Sequence, residues 1–312
     1  MILLVKSGGE AAVPEWRSHF AAAAPQLDVR WFDDPSVDPA DVRYVLVWEP
    51  TPGRLAMLPN LRLICSSGAG VDHILVDPTV PRHVPILRVG NDEARQRMGE
   101  YVSLACLSLL RDMKRVVTAQ AVRRWDNFDP ERTAAETRVG ILGLGNMGTR
   151  AAEMLRGLGF AVSGWTRTPR AVPGVDCHTG PAGRDNVLRG ADILVNLLPD
   201  TAETRGAIDA AALARLPPGA GMVNAGRGPQ LVIPDLIAAL DSGHLSGAVL
   251  DVFDTEPLPA DSPLWAHPKI IVSAHIASNS SRRSRAYYVA DAIAAFERGE
   301  TLPAIYDPVR GY

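Results

Sequence analysis

The chain has 312 residues, of which 46% are hydrophobic and 21% charged, and its net charge is −3. That composition fits an ordinary globular protein long enough for two compact domains, and it gives no reason to expect nucleic acid or an anionic membrane surface as partner. Cys65, Cys106 and Cys177 form an odd, widely spaced set without a CxxC pair, which argues against a disulfide framework and a zinc site and fits a reducing, cytoplasmic setting.

Residues 1–98 alternate short apolar runs with turn-rich or helical stretches. The runs Ile2–Val5, Val29–Phe32, Tyr44–Trp48, Leu61–Cys65 and Pro85–Val89 are bounded by Gly, Pro and Asp and predict buried strands of a parallel sheet. The first run is stopped by Lys6-Ser7-Gly8-Gly9, too early for a leader peptide. No run approaches the ~20 apolar residues of a membrane helix.

Gly99 to Trp125 contains no proline and carries an apolar face from Tyr101 through Leu110 to Val117, which predicts one long helix. The polar residues 126–137, with Pro130, predict an exposed connection. A second alternating block runs from Arg138 to about Ser273. Its predicted strands are Val139–Leu142, Ala161–Trp165, Ile193–Leu197, Gly221–Asn224, Gly247–Leu250 and Ile270–Val272. Its predicted helices are Met147–Gly157, Asp209–Arg215 and Pro234–Asp241. This spacing implies a doubly wound α/β sheet. Arg282–Arg298 predicts an amphipathic helix, followed by an irregular tail with Pro303 and Pro308.

Gly143-Leu144-Gly145-Asn146-Met147-Gly148 follows a predicted strand and opens a predicted helix, the context in which GxGxxG binds a dinucleotide. The first glycine allows the tight turn, the second admits the pyrophosphate, and the third lets helix and sheet pack closely. The helix N-terminus offers free N–H groups to the phosphates. An NAD site places Asp or Glu about 20 residues further on, against the ribose hydroxyl. Here the second strand ends in Trp165-Thr166-Arg167-Thr168-Pro169-Arg170, with two arginines, two hydroxyls and no acid. Those groups suit a 2′-phosphate, so NADP(H) is expected over NAD(H).

Three further side chains stand near predicted strand ends, where ligands bind in open α/β sheets. Arg227, in Asn224-Ala225-Gly226-Arg227-Gly228, offers a guanidinium able to grip a carboxylate and polarise a ketone. His275, in Ser273-Ala274-His275-Ile276-Ala277, offers an imidazolium suited to protonating an alkoxide near neutral pH. Glu256 could orient His275 and favour its charged form. Together they supply the groups that reduction of a 2-oxo acid needs.

The sequence resembles the D-isomer-specific 2-hydroxyacid dehydrogenases, and within them the glyoxylate/hydroxypyruvate reductase A branch. The likeness covers nearly the whole chain. It rests on Val47-Trp48 with Pro50, Gly68-Ala69-Gly70-Val71-Asp72, Gly143–Gly148, Trp165–Thr168, Asn196-Leu197-Leu198-Pro199, Leu250–Phe253, Glu256–Pro259 and Arg310-Gly311-Tyr312. It implies a Rossmann domain, 99–281, inserted into a flavodoxin-like substrate domain, 1–98 and 282–312. It implies that Arg227 binds and polarises the 2-oxo acid, that His275 donates the proton, and that Glu256 is its partner. Amides near Ala69 and Gly70 would hold the substrate carboxylate, with Trp48 lining the pocket. Asp251 would meet the nicotinamide amide, and Met98, Leu198, Pro199, Ala225 and Gly226 would complete the cofactor site. A homodimer through the dinucleotide-binding domain, acting on a small 2-oxo or 2-hydroxy acid, is also implied.

Two departures bear on the substrate. The proline usual before the histidine is Ala274, and Ser278-Asn279-Ser280-Ser281-Arg282-Arg283 is unusually polar and basic. The competing expectations are therefore a same-fold dehydrogenase for another 2-hydroxy acid, and a dinucleotide-sensing binding protein without turnover.

Overall fold

The structure, a computed structural model, describes residues 1–302 and 304–312; Pro303 of the tail lies outside the described residues. The chain divides into two units. One comprises Met1–Glu93 and Ser280–Tyr312, the other Ala94–Asn279.

The first unit opens with β1 (Ile2–Lys6), α1 (Val13–Ala23), β2 (Asp28–Trp31) and β3 (Val42–Val47). It continues with β4 (Leu63–Ser66), α2 (Asp72–Leu75) and β5 (Ile86–Leu87). The strands are parallel in the order β2-β1-β3-β4-β5. This is the flavodoxin order, and its switch point lies between β1 and β3. Along β1, Leu3 and Val5 enter one core with Trp16 and Phe20 of α1, while Leu4 enters another with Phe32 and Ile74. Burial on both faces is why these strands are continuous apolar runs without polar alternation.

The second unit takes in α3 (Asp92–Leu110) from Ala94 onward and α4 (Met113–Ala121), then β6 (Arg138–Leu142), α5 (Asn146–Gly157), β7 (Ala161–Thr166) and β8 (Asp176–Thr179). After α6 (Gly180–Gly190) come β9 (Ile193–Asn196), α7 (Ala210–Leu213), β10 (Ala220–Asn224), α8 (Ile233–Asp241), β11 (Leu245–Leu250) and β12 (Ile270–Val272). All seven strands are parallel, in the order β12-β11-β10-β9-β6-β7-β8. That is the Rossmann order with one added strand, and the switch point falls between β6 and β9. Helices α3 and α5 cover one face through Met98, Val102, Ala151 and Leu155. Helices α6, α7 and α8 cover the other through Leu188, Leu213, Leu236 and Leu240. The chain then returns to the first unit as α9 (Arg282–Glu297), which packs on α1, and Ile305 forms a bridge to Leu87.

The single helix expected from Gly99 to Trp125 is two helices. It starts earlier, at Asp92, where Asp92 and Glu93 favour the positive end of the helix dipole. It breaks before α4 at Asp112, whose φ of 46° is left-handed, a conformation aspartate tolerates. Gly99 is an interior packing point of α3 against Met154 of α5. Strand β8 is absent from the sequence reading because Asp176-Cys177-His178-Thr179 is a polar edge strand with no apolar run. Among the described residues, no helix is long and apolar enough to cross a membrane.

Candidate active site

The glycine fingerprint joins β6 to α5. Gly143 has φ 101°, and an added Cβ would sit 2.7 Å from the Leu197 carbonyl oxygen. At Gly148 an added Cβ would lie 2.1 Å from the Gly143 oxygen, so only glycine lets α5 approach the turn so closely. Gly145 caps α5 and, with Asn146, is exposed; Met147 is half-buried. The turn therefore presents backbone N–H groups at a helix N-terminus, the arrangement a pyrophosphate requires. At the end of β7, Trp165 is tied to the Gly180 carbonyl at 2.8 Å, and the Thr166 hydroxyl bonds the Thr168 carbonyl. Arg167, Thr168 and Arg170 are exposed beyond it.

Arg227 follows β10, Glu256 follows β11 and His275 follows β12, three adjacent strands. His275 Nδ1 lies 2.7 Å from Glu256 Oε2, while Glu256 Oε1 accepts the Phe253 N–H at 2.9 Å. Burial opposes the charge on Glu256, but the His275 and Phe253 bonds and the nearby charges of His275 and Arg227 prevail, and its pKa lies below the ordinary 4.5. The structure thus brings Arg227, Glu256 and His275 into one electrostatic group.

The glycines beside Arg227 are close-packing points. An added Cβ at Gly228 would be 1.9 Å from the Phe253 carbonyl carbon, and one at Gly226 would be 2.5 Å from Gln230 Oε1. They allow the Arg227 loop to pack on the segment leading to Glu256 and on a buried amide network.

That network was not legible as a site in the sequence. Gln230, fully buried, donates Nε2 to the carbonyls of Leu198 at 3.0 Å and Pro199 at 2.7 Å. Its Oε1 accepts Asn196 Nδ2 at 2.6 Å and the Arg227 N–H at 2.9 Å. Asn196 also donates to Asn224 Oδ1 at 2.9 Å. Three amides thus join the loops after β9 and β10 and hold Leu198, Pro199, Ala225, Gly226 and Arg227 in register. The available signal was Asn196, Asn224 and Gln230 at or just past strand ends.

Asp251, expected to meet the cofactor, is 1% exposed. Its carboxylate accepts the Ser273 hydroxyl and the backbone N–H groups of Ile276 and Ala277, at 2.6, 2.9 and 2.9 Å. A carboxylate has about four acceptor positions, so one remains. Met98 is buried in the core with Val102.

On the first unit, Trp48 follows β3, and its ring stacks on His73 with centroids 4.0 Å apart. Ser66 Oγ donates to the Gly70 carbonyl at 2.7 Å and accepts the Gly68 N–H at 3.2 Å, which shapes the turn carrying Ala69 and Gly70. These groups occupy carboxyl ends of β3 and β4.

Residues 103–277 match the sequence profile of the D-isomer specific 2-hydroxyacid dehydrogenase NAD binding domain. Glyoxylate/hydroxypyruvate reductase A of Serratia proteamaculans is 37% identical over 303 residues, 96% of each chain. The chain belongs to the D-isomer-specific 2-hydroxyacid dehydrogenases. A member from Xanthobacter autotrophicus Py2, solved with NADPH and MES, is 42% identical and superposes with a TM-score of 0.93 over 100% of this chain and 99% of that one. The NADPH-dependent glyoxylate/hydroxypyruvate reductase of Sinorhizobium meliloti, solved with NADP and sulfate, is 36% identical with a TM-score of 0.92 over the same shares.

In this dehydrogenase Ala274, whose own backbone angle is unrestrained, precedes His275. His275 nevertheless keeps a φ of 51°, in the left-handed region that costs a side-chain-bearing residue about 1–2 kcal/mol. Its N–H donates to the Asp251 carbonyl at 2.8 Å. The hydrogen bonds to Asp251 hold the loop in place.

Proposed function

We propose that this protein is an NADPH-dependent reductase of small 2-oxo acids, converting glyoxylate to glycolate and hydroxypyruvate to D-glycerate. The observation that carries this reading is the 2.7 Å contact between His275 and Glu256 beside the charge of Arg227, on the sheet that bears the fingerprint. The names of the relatives from Serratia proteamaculans and Sinorhizobium meliloti, and the NADPH and NADP in the two solved structures, support the substrate class and the carrier.

Arg227 binds the 2-oxo acid and polarises its ketone. His275, oriented by Glu256 through Nδ1, gives a proton to the oxygen as negative charge develops there. On the first unit, Trp48 and the amides of Ala69 and Gly70 are the groups that the sequence resemblance assigns to the substrate. NADPH, when bound, supplies the hydride that adds to C2. Gly143, Gly145, Asn146, Met147 and Gly148 receive its pyrophosphate. Thr166, Arg167, Thr168 and Arg170, next to Trp165, receive its 2′-phosphate. Met98, Leu198, Pro199, Ala225, Gly226 and Asp251 form the nicotinamide end. On this reading the second unit is the dinucleotide domain and the first the substrate domain.

The protein acts as a cytoplasmic homodimer. Leu104, Val117, Val122 and Trp125 are exposed along α3, α4 and the segment after them, an apolar surface that a second copy would cover.

Oxidation of NADPH with glyoxylate and hydroxypyruvate, read at the nicotinamide absorbance, tests the activity. His275→Ala should lower kcat by about 10²–10⁴-fold with NADPH affinity retained. A dinucleotide sensor would bind NADPH and turn over neither acid.

A further inference from the structure

Asp251 makes four of the hydrogen bonds that hold the segment carrying His275, and it is held in turn. Asp251 takes the His275 N–H on its main-chain oxygen, and the Ser273 hydroxyl and the Ile276 and Ala277 N–H groups on its carboxylate. Of residues 273–277, Ala274 alone makes no bond to Asp251 in this scheme, and alanine leaves its own φ unrestrained. The loop geometry therefore depends on where the Asp251 carboxylate points.

Hydrogen-bond direction extends the chain. A carboxylate only accepts, so the single Ser273 proton goes to Asp251 Oδ1, 2.6 Å away. The Ser273 oxygen is then the acceptor for Tyr101, whose hydroxyl lies 2.7 Å from it. Tyr101 comes from α3, an element with no residue in the proposed proton transfer. The phenol keeps its proton: burial raises its pKa strongly, the Ser273 bond opposes this, and the Asp251 charge adds to it. Tyr101, Ser273 and Asp251 all belong to the second unit.

We propose that Tyr101 is a positioning residue for the proton transfer: through Ser273 it fixes the Asp251 carboxylate, and through Asp251 the angle at which His275 meets Glu256. This rests on the reading of His275 as proton donor. Neither Tyr101 nor Ser273 touches the imidazole in this scheme. Their effect passes entirely through the carboxylate.

Tyr101→Phe keeps the buried ring and removes only the hydroxyl. In the full-length protein its kcat for glyoxylate with NADPH should fall roughly three- to tenfold, the effect of one net hydrogen bond. KM and NADPH affinity should stay within about twofold of wild type, because ground-state binding is not the function of this bond. Ser273→Ala should show the same loss, and Ser273→Thr, which restores the hydroxyl, should recover kcat. The double variant Y101F/S273A should be no slower than S273A, since both act on one path. A kcat for Tyr101→Phe equal to wild type, or losses that multiply, overturns the proposal. An independent readout covers the case in which wild type reduces no 2-oxo acid. The NMR signals of the His275 ring, assigned by their loss in H275A, should shift in Y101F and in S273A and keep their wild-type positions in S273T. Ring signals unchanged in Y101F overturn the proposal whatever the substrate.

Discussion

Glu256 is held from two sides, by His275 Nδ1 on Oε2 at 2.7 Å and by the Phe253 N–H on Oε1 at 2.9 Å. With the nearby charge of Arg227, these contacts overcome the burial that opposes ionisation and keep the Glu256 pKa below 4.5. A carboxyl group with a depressed folded pKa stabilises the fold above its unfolded pKa and loses that contribution as pH falls through the folded value. Glu256 is thus an anion throughout the neutral range.

Glu256→Gln removes that anion and keeps the shape. A carboxylate favours the charged imidazole and a neutral amide does not. In E256Q the proton donor therefore loses its charged partner, and kcat for glyoxylate reduction should fall with NADPH affinity retained. The rate at neutral pH should fall by about 10–100-fold, less than the roughly 10²–10⁴-fold that the proton donor itself supplies. A wild-type kcat in E256Q would show that Glu256 does not govern the donor.

Gln230→Leu leaves the carbonyls of Leu198 and Pro199, the Asn196 amide and the Arg227 N–H without their common partner. Stranding such buried groups costs about 2–4 kcal/mol. Calorimetry should show a Tm lower by about 5–10 °C. KM for the 2-oxo acid should rise as well, since the Arg227 loop loses its anchor. A Tm within a degree or so of wild type would mean the network relaxes without loss.

Arg167 and Arg170 stand exposed after β7. Replacing both with alanine should lower kcat/KM for NADPH by about 10–100-fold, the range of one or two charge-assisted hydrogen bonds. The value for NADH should change little. An unchanged NADPH/NADH ratio would assign the discrimination to other residues.

Val117 and Trp125 test the dimer surface, with Trp125 95% exposed. Val117→Asp with Trp125→Ala places a charge on this surface and removes its largest side chain. On the proposed homodimer reading, light scattering should report a dimer for wild type and a monomer for this variant. A variant that stays dimeric places the interface elsewhere.

The parts of the site visible in the sequence are those whose requirements are local. Gly143 and Gly148 are fixed by a turn and a helix start only a few residues long, so motif and context suffice. Arg227, Glu256 and His275 each follow a strand whose apolar run can be read. Gln230 and Ser273 also lie past strand ends, but that position does not show which groups they bond. Gln230 matters because β9 and β10 are neighbours, and Ser273 because α3 passes beside the end of β12; both facts depend on packing between distant segments. Asp251 was visible, but the loop it organises was not, since three of its donors are main-chain N–H groups that carry no residue identity.

By itself the sequence determined the alternation of strand and helix, the glycine turn between β6 and α5, the absence of an acid after β7 and the choice of Arg227, Glu256 and His275 as candidates, because short-range sterics and side-chain chemistry fix these. Only the tertiary structure decided that α3 ends at Leu110 before a left-handed Asp112, that the glycines around Arg227 admit Phe253 and Gln230, and that Asp251 holds the loop that presents His275 to Glu256. Buried donors and acceptors must be satisfied wherever the fold places them, and the partners that satisfy them are chosen in space.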